Sequence, residues 1–133
     1  MSNMRNLAKT PPMGWNSFDC FGAQAREEHI KANADYLAKH LKKYGWEYVV
    51  VDIAWYAEYS NPKVAYSISA LNLDEYGRLA PSPNLYPSSA EGKGFKPLAD
   101  YIHSKGLKFG IHIMRGIPIV AVERNTPILG SNA

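Results

Sequence analysis

Apolar residues recur along the chain in two helical stripes and three short runs that resemble strands. In the longer stripe they return every three or four positions, which is typical of an amphipathic helix. Its members are Ile30, Ala34, Leu37, Ala38, Leu41 and Tyr44. Acidic residues open this segment, lysines close it and Gly45 follows it, as the helix dipole and helix capping favour. We therefore predict a helix from about Arg26 to Tyr44.

A second stripe predicts a shorter helix from about Phe95 to Ser104. The three apolar runs predict strands at Met13–Ser17, Glu47–Asp52 and Leu107–Ile113. The middle run has three consecutive valines and no alternation, which is typical of a parallel strand buried on both faces. Strands that alternate with helices predict an α/β fold with a parallel sheet and right-handed crossovers.

The remaining segments carry weaker signals. The prolines at positions 11 and 12 predict an irregular lead-in over residues 1–12. A long connection from Ala54 to Gly94 has no helical stripe, and such loops are usually functional. Within this connection, Leu73–Leu79 predicts a small hairpin. Further along the chain, a short helix is predicted to begin within Pro118–Arg124.

Composition and charge narrow the class of protein. The 133 residues are 46% hydrophobic and 20% charged, as expected for one globular domain. The net charge of +3 is densest at Lys39–Lys43, which we interpret as a solvated helix face, so no nucleic-acid partner is expected. The single Cys20 and the absence of an apolar leader segment predict a cytoplasmic protein. No apolar run reaches the roughly 20 residues that span a bilayer, so no membrane partner is expected.

No motif in the sequence predicts a metal or a cofactor. The four histidines are dispersed, without a pair at a ligand spacing. The glycines of Glu91–Pro97 lack a preceding strand and a third glycine, which excludes a phosphate-binding loop.

Asp52 is the first candidate for a functional residue. It ends the valine-rich strand, and α/β folds place their ligands at the carboxyl ends of parallel strands. The alternative is that Asp52 only caps the loop that follows.

Four motifs, in order along nearly the whole chain, resemble one known family. They are TPPMGWNSF (10–18), YVVVDIAW (48–55), EYGRLAPSP (75–83) and LADYIHSKGLKFGIH (98–112). Together they are similar to the N-terminal part of glycoside hydrolase family 27, the α-galactosidases and α-N-acetylgalactosaminidases. The resemblance implies a (β/α)8 TIM barrel, of which residues 1–133 would form the first strand–helix–strand–helix–strand portion.

The same resemblance implies an α-glycoside or oligosaccharide substrate and retaining hydrolysis by two aspartates. Such a pair of carboxyl groups stands about 5 to 5.5 Å apart. The family places its nucleophile on the fourth strand, in a motif like KYD, and neither acid motif occurs here. We therefore expect the catalytic residues downstream of residue 133, and we expect the isolated chain to be inactive.

By resemblance, three residues form the sugar-recognition part. Trp15 corresponds to a tryptophan that packs on the sugar, with core packing as the alternative. Asp52 corresponds to the first of two adjacent aspartates that accept hydrogen bonds from sugar hydroxyls. Trp55 closes that motif and has either a structural or a ligand role.

Three further positions bear on specificity. Ile53 replaces the second family aspartate, so one hydroxyl acceptor is lost and strict galactose specificity is in doubt. His112 ends the third predicted strand and is either a hydrogen-bonding partner of a sugar hydroxyl or a core residue. Arg115 either faces the pocket or makes a surface salt bridge.

Two other interpretations remain open at this stage. One is a non-catalytic carbohydrate-binding α/β module built around Trp15, Asp52 and His112. The other is a partial barrel that another polypeptide or a second copy of this chain completes. The oligomeric state stays unknown.

Overall fold

The computed structural model describes residues 10–59, 61, 63–64, 67–114 and 116–131. The α-helices in these ranges are α1 (Phe18–Phe21), α2 (Glu27–Tyr36), α3 (Lys96–Ser104) and α4 (Ile119–Glu123). The strands are β1 (Gly14–Asn16), β2 (Tyr48–Val51), β3 (Ala57–Tyr59), β4 (Ile68–Leu71) and β5 (Lys108–Ile111). None of the helices described is long and apolar enough to cross a membrane.

The three predicted strands form one parallel sheet in the order β1-β2-β5. β1 and β2 approach closely at Gly14, where an added Cβ would lie 2.4 Å from the carbonyl oxygen of Tyr48. Only glycine fits there, because any side chain would push the two strands apart. The predicted α/β class and the predicted parallel sheet are thus confirmed.

Helices α2 and α3 cover one face of this sheet. Val49 and Val51 of β2 are fully buried against Ile30 of α2 and Ile102 of α3. Tyr48 and the other residue of β2 that points to the opposite face are only partly buried. Within the described residues the helices pack on one side of β2 alone, so burial of its other face stays a prediction.

The long predicted helix is regular only in its first part. After α2 the chain continues as a π-helical turn (Leu37–Leu41) and a 3₁₀ turn (Lys42–Tyr44), and Gly45 ends it with a φ of 91°. A wider turn changes the angular phase of the residues that follow it. Tyr44 therefore leaves the buried face and is 65% exposed, so its predicted place in the apolar stripe is wrong.

The long connection after β2 is ordered by its own contacts. β3 and β4 form an antiparallel hairpin with a register shift at Tyr59, which the sequence pattern did not predict. Glu58 of β3 accepts hydrogen bonds from the Ser82 hydroxyl (2.7 Å) and the Asn84 amide. The predicted turn over Leu73–Leu79 is confirmed, because these two leucines form an antiparallel bridge. The connection thus folds back on β3 as a packed unit.

Candidate functional site

The carboxyl end of each parallel strand carries a polar residue. Asn16 is the last residue of β1, Asp52 directly follows β2, and His112 directly follows β5. The backbone N–H of His112 donates to the carbonyl oxygen of Val51 (2.8 Å), which extends the ladder one residue beyond the strands. Because β2 is the central strand, Asp52 stands between the other two residues. The edge thus brings one carboxylate, one carboxamide and one imidazole together.

Asp52 accepts hydrogen bonds from both neighbouring strand ends and from its own loop. Its Oδ1 accepts from the backbone N–H of Ile53 (2.7 Å), and its Oδ2 accepts from Nδ2 of Asn16 (2.8 Å). Nδ1 of His112 lies 3.3 Å from Oδ2. The backbone N–H of Asp52 donates to Oγ of Ser17 (3.0 Å). Asp52 is only 9% exposed, so its orientation is held from several sides.

These contacts decide the charge of Asp52. Burial raises the pKa of its carboxyl, but the hydrogen bonds from the Ile53 amide, Asn16 and His112 outweigh burial and hold this pKa below its ordinary value. The group is therefore an ionised acceptor at neutral pH. An ionised carboxylate forms the stronger, charge-assisted hydrogen bonds to hydroxyl donors.

Asn16 and Ser17 are site residues that the sequence reasoning missed. Oδ1 of Asn16 accepts from the backbone N–H of Phe18 (2.8 Å), which turns Nδ2 of Asn16 toward Asp52. Ser17 is 1% exposed, and Phe18 is 39% exposed at the same strand end. The available signal was positional, because MGWNS ends on the same sheet edge as the Asp52 strand.

His112 is anchored through its backbone while its ring stays accessible. Its carbonyl oxygen accepts from Nε1 of Trp55 (2.9 Å), and its N–H is held by Val51. The His112 side chain is 48% exposed, whereas that of Asp52 is 12% exposed. Trp55 itself is 3% exposed and packs edge-on against Phe95. Its described contact with the site is the hydrogen bond to the backbone of His112.

The turn after Asp52 is apolar and strained. Ile53 is partly buried against a small cluster of Ala23, Ala54 and Ala57. Ala54 has a φ of 65°, a left-handed conformation that residues other than glycine rarely adopt. Such outliers persist where surrounding packing holds them, and they concentrate at functional sites.

Trp15 is not brought to Asp52 by any described contact. Trp15 pairs in register with Val49, packs against the main core and meets Phe21 edge-on with ring centroids 6.3 Å apart. Its predicted sugar contact stays a prediction. Arg115 lies outside the described residues. Within the described part of the chain, no three His, Cys, Asp or Glu side chains cluster to hold a metal ion.

The protein-family model described as alpha galactosidase A matches residues 10–122 of this chain. The chain belongs to this family. Over 107 residues it is 39% identical to the alpha-galactosidase of Coffea arabica, with 80% of this chain and 24% of that protein covered. Over 117 residues it is 30% identical to the alpha-N-acetylgalactosaminidase of Gallus gallus, covering 80% and 24%. The chain thus spans about a quarter of the length of these two curated relatives.

Solved structures in the same family show the same fold. The GH27 β-L-arabinopyranosidase of Geobacillus stearothermophilus is 63% identical and superposes with a TM-score of 0.85. The match covers 94% of this chain and 29% of that protein. The predicted recognition as a family 27 glycoside hydrolase is confirmed. The parallel sheet and its helices are therefore part of a (β/α)8 barrel, as predicted.

Proposed function

We propose that these residues form the sugar-recognition part of a retaining glycoside hydrolase that releases a terminal β-L-arabinopyranosyl or α-D-galactopyranosyl group. The observation that carries the proposal is the ionised, oriented carboxylate of Asp52 at the strand-end edge, with His112 beside it. Barrel enzymes bind their substrates at that edge. The family membership supplies the reaction class.

The two sugars share one arrangement of ring hydroxyls. L-Arabinopyranose is the galactose ring without its hydroxymethyl group, and the β-L and α-D linkages have the same absolute geometry. A site that binds either ring therefore needs the same acceptors for the hydroxyls they have in common.

Ile53 favours the smaller of these sugars. An apolar side chain that replaces a carboxylate leaves a substrate hydroxyl without an acceptor, at a cost of about 1–3 kcal/mol. A ring with fewer hydroxyls avoids that cost. The β-L-arabinopyranosidase named above, at 63% identity, supports the same choice. We propose the arabinopyranoside as the preferred substrate.

The catalytic pair is proposed to lie outside these 133 residues, since neither aspartate motif of the family occurs in the sequence. Asp52 then binds substrate and does not attack it. We also propose a cytoplasmic location, which rests on the cysteine usage alone.

Aryl glycosides test this proposal. The longest reading frame that contains the chain, and the 133-residue chain itself, are assayed on β-L-arabinopyranoside, α-D-galactopyranoside, α-N-acetylgalactosaminide and α-D-glucopyranoside. We expect turnover only by the longer protein, with the arabinopyranoside as the best substrate. Ile53→Asp should move the ratio of kcat/KM values toward the galactoside by about tenfold, the equivalent of one hydrogen bond.

Three outcomes would count against parts of the proposal. Absence of turnover on all four glycosides, with retained sugar binding, would favour the non-catalytic binding module. Turnover by the 133-residue chain in proportion to its concentration would place the catalytic acids among the residues present. If the ratio of kcat/KM values is unchanged in Ile53→Asp, Ile53 does not determine substrate specificity.

A further inference from the structure

One turn in the long connection after β2 is held by a single aspartate. Oδ1 of Asp74 accepts hydrogen bonds from the backbone N–H groups of Tyr76 and Arg78 (2.9 Å each), and Oδ2 accepts from Nε of Arg78 (2.6 Å). The backbone N–H of Asp74 donates to the carbonyl oxygen of Arg78 (2.9 Å). The turn therefore holds Tyr76 and Arg78 in a fixed relation before any ligand binds.

The same turn is docked on the segment that follows β5. Gly77 has a φ of 72°, and a Cβ added there would lie 2.6 Å from Oγ1 of Thr126 and 2.7 Å from Cβ of Ala121. Ala121 belongs to α4 and is buried. Two loops that follow neighbouring parallel strands are thus packed together, on the carboxyl-end side of the sheet where barrel enzymes bind their substrates.

A cleft of about 750 Å³ lies between the turn and that segment. Its lining includes Tyr76, Arg78, Trp55 and Ile113. Nε1 of Trp55 donates to the carbonyl oxygen of His112 (2.9 Å), and Ile113 directly follows His112, so the cleft adjoins the strand-end edge. Its volume falls within the roughly 300–1,000 Å³ typical of small-molecule sites. The cleft therefore has room for a part of the substrate next to the sugar at the edge.

The turn brings an aromatic ring and a cation to this cleft. The guanidinium carbon of Arg78 lies 5.4 Å from the ring centroid of Tyr76. The Arg78 side chain is 60% exposed, and within the described part of the chain its only hydrogen-bonded guanidinium nitrogen is Nε. The remaining N–H groups are donors for ligand oxygens, and the Tyr76 ring offers an apolar face. A sugar unit matches both groups, because it has a C–H face and ring hydroxyls.

We propose that Tyr76 and Arg78 form a subsite for the leaving group and that this leaving group is a second sugar unit. The terminal sugar lies at the strand-end edge, and the unit to be released lies in the cleft, where it stacks on Tyr76 and accepts hydrogen bonds from Arg78. Asp74 is a positioning residue, because it acts by holding the other two. This inference rests on the proposed glycosidase function and deepens it by naming the leaving group.

Substrates that share the terminal sugar but differ in the leaving group test the subsite. The longest reading frame that contains the chain is assayed on the methyl glycoside of its preferred terminal sugar and on a disaccharide in which that sugar is linked to galactose. In Tyr76→Ala and in Arg78→Ala we expect kcat/KM on the disaccharide to fall about tenfold, the effect of one lost stacking contact or hydrogen bond. On the methyl glycoside both variants should stay within about twofold of the unmodified protein. Comparison on the same substrate cancels the difference in intrinsic reactivity.

Two further variants separate a ligand contact from a structural role. Tyr76→Phe keeps the aromatic ring and should retain kcat/KM on the disaccharide within about threefold. Tyr44→Ala is the matched control, since Tyr44 is 65% exposed outside the cleft, and it should change kcat/KM on neither substrate. An equal loss on both substrates in Tyr76→Ala, with a lower melting temperature, would show that another part of the protein fills the cleft and would overturn the proposal. Unchanged kcat/KM on the disaccharide would overturn it as well.

Binding gives a second readout that does not need turnover. The sulfur-linked analogue of the disaccharide is not hydrolysed, and calorimetric titration compares its Kd with that of the methyl glycoside. We expect Tyr76→Ala to raise the Kd of the disaccharide analogue about tenfold and to leave the Kd of the methyl glycoside unchanged. Equal affinities of the unmodified protein for the two ligands would contradict a second subsite. If both ligands bind as expected but no glycoside is turned over, the proposed function fails and the subsite stands.

Discussion

Two buried carboxylates, Asp52 and Glu27, look alike by burial and charge but differ in what holds them. Asp52 is 9% exposed and Glu27 is 6% exposed. Burial raises the pKa of Glu27, yet its contacts with Lys31 and Ser88 outweigh burial and lower that pKa, as happens at Asp52. The donors to Glu27 are the Lys31 ammonium and the backbone N–H of Ser88 (2.9 Å).

The difference between them is one of position. Glu27 is the first residue of α2, and its partners tie that helix to the turn at Pro87–Ser89. Two of the donors to Asp52 come from the ends of neighbouring strands, and one of these two is the half-exposed ring of His112. A lowered pKa therefore marks both a structural and a functional candidate. The strand-end edge is what distinguishes Asp52.

The largest expected effect separates the two carboxylates by activity. Asp52→Asn removes a charged acceptor and should lower kcat/KM on the preferred glycoside by about 100-fold, as expected when a hydrogen bond to a charged group is lost. Glu27→Gln should leave kcat/KM within about twofold. Both are measured in the longest reading frame that contains the chain. An equal loss of activity in both variants would make Asp52 structural.

The second effect separates them by stability. Glu27→Gln should lower the free energy of unfolding by about 1.5–3 kcal/mol, because it replaces charge-assisted hydrogen bonds with neutral ones. Urea denaturation measures the change. Glu28→Gln is the matched control, since the Glu28 side chain is 77% exposed, and we expect its effect to stay within about 0.5 kcal/mol. Equal changes in the free energy of unfolding in both variants would show that Glu27 stabilises the fold no more than the exposed Glu28 does.

Acid should reduce the difference between Glu27→Gln and the unmodified chain. The folded pKa of Glu27 lies below its unfolded value, so the ionised group stabilises the fold above its ordinary pKa. That contribution is lost as pH falls through the folded pKa. Urea midpoints from about pH 7 to about pH 3 should therefore fall more steeply for the unmodified chain than for the variant. Parallel curves would refute this account.

The smallest effect concerns the support of Asp52. Ser17→Ala leaves the buried N–H of Asp52 without its acceptor and should lower the free energy of unfolding by about 1–2 kcal/mol. It should also reduce kcat/KM less than Asp52→Asn does. Ser104→Ala, at an exposed hydroxyl on α3, is the control. Thermal denaturation of both variants checks the prediction, and indistinguishable melting temperatures would contradict it.

The elements with strong periodicity could be predicted from sequence. The valine-rich strand, the apolar stripes of α2 and α3 and the order of the elements placed Asp52 and His112 at one edge of a parallel sheet. The hairpin of β3 and β4 was missed because its strands are short and lack alternation. Tyr44 was misplaced because a π-helical turn shifts the helical phase, and local sequence carries no clear signal of such a turn.

The sequence by itself thus determined the fold class, the family and which strand ends carry polar groups, since these depend on local spacing and on motifs. Only the tertiary structure decided that Asn16 and Ser17 hold Asp52, that Trp15 packs against the core and that Glu27 joins α2 to a distant turn. The physical reason is that strand register and helix docking set side-chain contacts between residues far apart in the chain. No local pattern encodes those distances.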